Sequence, residues 1–113
     1  MMDLTGYNVA VRDLTAKFWR EEKPVRLVFD SVTPLLLYNE PRTVMRFLHI
    51  LFGRLKSLNI ISLFLIEEGM HSRETMVTLT SMIDGIIETK NENGKNWVRL
   101  KSEALSGDWI PLT

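Results

Sequence analysis

Two stretches of the 113-residue chain carry acids at the end of an apolar run, and there the sequence offers chemistry. Val25, Leu27, Val28 and Phe29, interrupted only by Arg26, lead directly into Asp30 and Ser31. Ile60 to Ile66 leads into Glu67, Glu68 and Gly69, with His71 close behind. A buried strand closing on aspartate is the Walker B pattern, whose carboxylate orients magnesium or its waters beside nucleotide phosphates. The same residues serve equally well to cap a loop or a helix. Glu68 and His71 have the Glu-x-x-His spacing that serves a di-iron site when it falls on a helix. The spacing has no second copy here, and a capping or solvent-facing His71 is the simpler reading. Asp30 and Ser31 are therefore the candidate nucleotide or magnesium position, and Glu67, Glu68 and His71 a candidate strand-end site; no residue is assigned as catalytic.

A magnesium aspartate needs a phosphate cradle beside it. That cradle, Gly-x-x-x-x-Gly-Lys-Ser/Thr, surrounds phosphates with backbone N–H groups and reaches them with its lysine. The single Gly-Lys pair, Gly94-Lys95, is followed by Asn96 and has Thr89 where the first glycine belongs. With no Gly-rich loop elsewhere, a complete ATPase site is not expected in this chain. Mg-ATP would enter only if another chain supplied the loop, and otherwise no cofactor is expected. The serines lack the glycines of a nucleophile elbow, and the absence of cysteine removes disulfides, thiolate metal sites and a thiol nucleophile.

The elements that would hold these residues follow from periodicity. Leu4, Tyr7, Val11, Leu14 and Phe18 recur at steps of three and four, which predicts a helix with Asp3 as its N-cap and its end before Pro24. The run Val25–Asp30 reads as a strand buried on both faces. A loop through Pro34 and Tyr38 leads to Asn39-Glu40-Pro41, a helix start, after which Val44, Phe47, Leu48, Leu51, Leu55 and Leu58 form a buried stripe. Ile60–Ile66 is a second strand. A third helix, capped by His71 or Ser72, carries Met76, Leu79 and Ile83 and ends at Gly85. Ile86–Lys90 and Trp97–Lys101 flank Asn91-Glu92-Asn93-Gly94, a hairpin signature because Asn-Gly accepts positive φ cheaply. Asp108–Leu112 closes the chain as an extended piece. The order predicts a single α/β domain over residues 1–113, with parallel strands between helices and an antiparallel hairpin at one edge.

Composition narrows the function classes. Lysine and arginine number 14, as do aspartate and glutamate, so no global field draws the chain to nucleic acid or to an anionic membrane. Arg42, Arg46 and Arg54 share one region of a helix surface, and a solvated polar face accounts for them; nucleic acid is not an expected partner. His49, beside the apolar stripe, reads as a partly exposed surface histidine. The most apolar stretch, Phe47 to Ile66, contains Arg54 and Lys56 and is not expected to span a membrane. The N-terminus lacks a secretory signal pattern, so a cytoplasmic protein is expected. Phe18, Trp19, Phe29, Phe47 and Phe64 are expected core residues, while Trp97 and Trp109, if exposed, would anchor another subunit.

Taken in order, Val25–Ser31, the leucine-rich loop with Tyr38-Asn39, the amphipathic helix, Leu63–His71, and Met82-Ile83-Asp84-Gly85-Ile86-Ile87-Glu88 together resemble the C-terminal half of archaeal RecA-superfamily ATPases of the KaiC/RadA-like type. The resemblance spans nearly the whole chain. It implies a truncated RecA-like fold in which Asp30 is the Walker B aspartate and Ser31 its neighbour. In such proteins the Walker A loop and the usual catalytic glutamate precede the region matched here. Glu21 and Glu22 close a helix instead, and Lys101 is followed by Ser102-Glu103-Ala104-Leu105 where relatives place a basic finger. The resemblance thus implies a non-catalytic module acting through protein association, in regulation or signalling. The alternative is a fragment or subunit of a working ATPase that obtains its phosphate loop elsewhere. Without the N-terminal half, the sheet beside Val25–Phe29 would lack cover, so a homodimer or another protein partner is expected.

Overall fold

The computed structural model describes residues 4–22, 24–102 and 106–112. Two compact units emerge, residues 1–76 and 77–113. The expected cap Asp3 and the segment Glu103–Leu105 lie outside the described residues.

In the first unit, helix α1 (Leu4–Arg20) precedes strand β1 (Arg26–Phe29), helix α2 (Thr33–Tyr38), helix α3 (Pro41–Ser57) and strand β2 (Ile61–Phe64). β1 and β2 pair in parallel, with Val28 opposite Leu63 and Phe29 opposite Phe64. The N–H of Leu65 donates to the carbonyl of Phe29 at 3.0 Å and that of Val32 to Leu65 at 2.8 Å, which carries the ladder past both strands. The core of this unit gathers on α3, where Val44, Phe47, Leu48, Leu51, Phe52 and Leu55 are buried. Phe52 stands edge-on to Phe64, Phe64 stacks on Phe29, and Phe29 meets Tyr7 of α1. One sheet face is thus sealed by aromatic contacts worth about 1 kcal/mol each beyond their area.

The other face is bare. Period-two alternation turns Val28, Ile61 and Leu63 outward, and Leu65 continues the row; their exposures are 64, 66, 46 and 42%. The sequence predicts a sheet covered on both faces, but among the described residues this face stays exposed, while α1 and α3 pack against each other on the aromatic side.

Local chemistry sets the other departures. Pro34 lies in the first turn of α2, where its missing N–H costs nothing, so the expected loop is a short helix. Asn39 faces backwards: its Nδ2 donates to the carbonyl of Leu35 at 3.1 Å and closes α2, while Pro41 opens α3. Along α1, among the described residues, the buried positions are Val11 and Thr15, with Leu14 exposed. Thr15 tolerates burial because its hydroxyl donates to the carbonyl of Val11 at 2.8 Å. Trp19, expected inside, is exposed.

In the second unit, strands β3 (Gly85–Glu92), β4 (Lys95–Ser102) and β5 (Ile110–Leu112) form an antiparallel sheet in sequence order. Asn93 and Gly94 make the turn at φ of 55° and 77°, as Asn-Gly predicts. Helix α4 (Arg73–Thr80) ends earlier than expected, and Gly85 begins β3 instead of closing the helix. Its start is capped by Ser72, whose Oγ accepts the N–H of Thr75 at 3.1 Å. No helix among the described residues is long and apolar enough to cross a membrane.

Candidate functional site

The candidate residues at the two strand ends meet at Thr33, which sequence reasoning did not single out. Thr33 opens α2 and is only 5% exposed. Its N–H donates to Ser31 Oγ at 3.2 Å, so Ser31 is spent on the turn leaving β1. Its own Oγ1 accepts the N–H of Glu67 at 2.9 Å. His71 Nε2 lies 3.2 Å from the same oxygen. Oγ1 keeps a second lone pair and its own proton, so either tautomer of His71 can complete this contact. One buried threonine thereby joins the exits of β1 and β2 to the turn before α4. The signal available in the sequence was a Ser-x-Thr-Pro step leaving a strand, the kind of segment in which hydroxyls satisfy turn backbone.

The carboxylates are arranged differently. Asp30, Glu67 and Glu68 are exposed, and among the described residues their side chains make no hydrogen bond or ion pair. The Asp30–Ser31 peptide is cis. Glu68 and Gly69 form a turn with Gly69 at φ 87°, so Glu68 and His71 do not share the helical face that a Glu-x-x-His metal site needs. Among the described residues no group of three or more His, Asp or Glu side chains is placed to hold a metal ion. For Mg-ATP, Asp30 is a suitable lone carboxylate, but Gly94-Lys95 occupies the β3–β4 turn and offers no phosphate cradle. The residues present do not fit that group.

Among the described residues no carboxylate bonds to His71, and the Thr33 hydroxyl is buried between the N–H of Glu67 and the His71 ring. The cluster is a clasp. His49 is exposed, as are Arg42 and Arg46, and Arg54 is half-buried.

A second polar cluster stands on the β3–β4–β5 sheet. Glu88 pairs with Arg99 directly across the ladder at 3.0 Å and with Lys101 at 2.9 Å. The hydrogen bond from Lys101, together with Arg99, holds the Glu88 carboxyl below the usual glutamate range against the opposing effect of burial. Arg99 and Lys90 also sit over the ring of Trp109, at 4.4 and 4.3 Å from its centre. Trp109 is half-buried beneath two cations. That position differs from the exposed anchor entertained from sequence.

The fold defines a mixed α/β protein with a two-stranded parallel sheet and a three-stranded antiparallel one. Residues 1–89 match the profile of DUF7504, a family of unknown function, and the chain belongs to that family. No curated protein and no solved structure matches it.

Proposed function

We propose that this chain is a non-catalytic, RecA/KaiC-like module that acts through protein association. The bare face of the parallel sheet carries the reading. Val28, Ile61, Leu63 and Leu65 stand exposed on a sheet type that proteins ordinarily cover on both sides. At the strand exits, where an α/β ATPase keeps its chemistry, Ser31, His71 and the backbone of Glu67 are engaged in a clasp around Thr33, while the carboxylates of Asp30, Glu67 and Glu68 stay exposed. Calorimetry with Mg-ATP is expected to give no binding heat. Heat that disappears in Asp30→Asn would overturn the non-catalytic reading.

A second reading rests on Asp30 itself, whose carboxylate is exposed at a strand end and has no partner among the described residues. In that reading the chain is a subunit or fragment of an ATPase, and Asp30 matters once another chain brings a phosphate loop. Its test is nucleotide binding by a mixture with such a chain, lost in Asp30→Asn.

A further inference from the structure

Resting on the association reading, we infer that the occupant of the bare β1–β2 face is a second copy of this chain, docked face to face with its strands antiparallel. The charges at the two ends of the face select that occupant and that orientation. The two-residue period that turns Val28 outward also places Arg26 and Asp30 on the same side of β1, and both are exposed. Among the described residues Arg26 bonds only to its neighbour's backbone, Nη1 donating to the carbonyl of Val25 at 2.9 Å, and Asp30 has no partner. The face therefore reads basic, apolar, acidic along the strand direction. At a rise of roughly 3.3 Å per residue its two charges lie about 13 Å apart.

Two-fold symmetry allows two ways to stack such faces. An axis parallel to the strands sets Arg26 near Arg26 and Asp30 near Asp30, which repels. An axis across the strands, level with the Val28–Leu63 pair, sets each Arg26 against the other copy's Asp30 and closes the four apolar side chains between them. Stacked sheets lie about 10 Å apart, a gap that the long arginine side chain can cross. On the antiparallel sheet, the described residues that share a face with the exposed Ile87, Leu100, Ile110 and Leu112 include the uncharged Thr89, Asn91, Asn96 and Ser102, so that face selects no occupant.

The test is sedimentation equilibrium on the full chain and its variants. Wild type is expected to dimerise, with a dissociation constant raised roughly tenfold or more in Arg26→Asp and again in Asp30→Arg. The double variant, with the charges exchanged, is expected to return to within about threefold of wild type. A wild-type dimer indifferent to both reversals, or a double variant that fails to recover, overturns this arrangement and leaves the association reading standing. A chain that stays monomeric at every concentration overturns the second copy. In that event, binding of the apolar dye ANS that is lost in Leu63→Lys keeps the face as a docking site for a different protein. No dye binding would sink both readings. Circular dichroism checks that each variant folds, as exposed positions allow.

Discussion

The hydroxyl of Thr33 accepts the backbone N–H of Glu67 at 2.9 Å, across 34 residues of chain, and so fixes the exit of β2 against the start of α2. Thr33→Val keeps the shape and removes the acceptor, leaving a part-buried donor without its partner. The expected cost is about 1–3 kcal/mol, with faster hydrogen exchange at the Glu67 amide. Thr33→Ser, which retains the hydroxyl, is expected to recover most of the loss. A Thr33→Val protein as stable as wild type in urea would show that the clasp does not hold the strand ends.

That bond also marks the limit of what the sequence discloses. The β3–β4 turn is legible because Asn93 and Gly94 settle it between adjacent residues. The α3 stripe is legible because one face repeats along the helix; Phe52 joins it unannounced, and Leu58, expected in it, is the half-buried C-cap instead. The α1 face is ambiguous: steps of three and four accommodate both Leu14 and Thr15, and the choice falls to Thr15 because a carbonyl four residues back satisfies its hydroxyl. Thr33 was hidden for a different reason. Its partners lie 34 and 38 residues away, and no periodicity reports a bond between two strand exits. The residue type of Asp30 is visible in the sequence, whereas its exposure at the strand end belongs to the fold.

Glu88 predicts a pH dependence. Its carboxyl titrates below the usual glutamate range in the folded protein, so the unfolded chain binds the proton more tightly. The pairs with Lys101 and Arg99 therefore stabilise the sheet fully above the unfolded glutamate range, and the contribution fades as pH falls through the folded value. Hydrogen exchange of the β3 and β4 amides is expected to show this loss on acidification, after correction for intrinsic rates. Glu88→Gln is expected to flatten it. An unchanged pH profile in the variant would remove the cluster from the account.

Leu48 and Leu14 test where the first unit keeps its core. Leu48 is fully buried, so Leu48→Ala leaves a cavity and is expected to cost about 2–5 kcal/mol. Leu14 is 55% exposed despite its place in the apolar repeat, and Leu14→Ala is expected to stay within about 0.5 kcal/mol of wild type. Chemical denaturation of the two variants checks both numbers. A large loss in Leu14→Ala would place Leu14, rather than Thr15, on the buried side of α1.

Two glycines with equal room for a side chain predict opposite signs on substitution. A Cβ at Gly53 or at Gly94 would meet no atom within 4 Å, so neither replacement clashes. Gly53 lies within α3, and there alanine restricts the unfolded chain and favours the helix; Gly53→Ala is expected to stabilise by about 0.5–1 kcal/mol. Gly94 sits at φ 77° in the β3–β4 turn, where an L side chain strains the backbone. Gly94→Ala is expected to destabilise the hairpin by about 1–2 kcal/mol. Thermal unfolding, with exchange of the β3–β4 amides to localise the effect, separates the two. Since sterics are equal, a shared sign would mean that backbone conformation does not decide these positions.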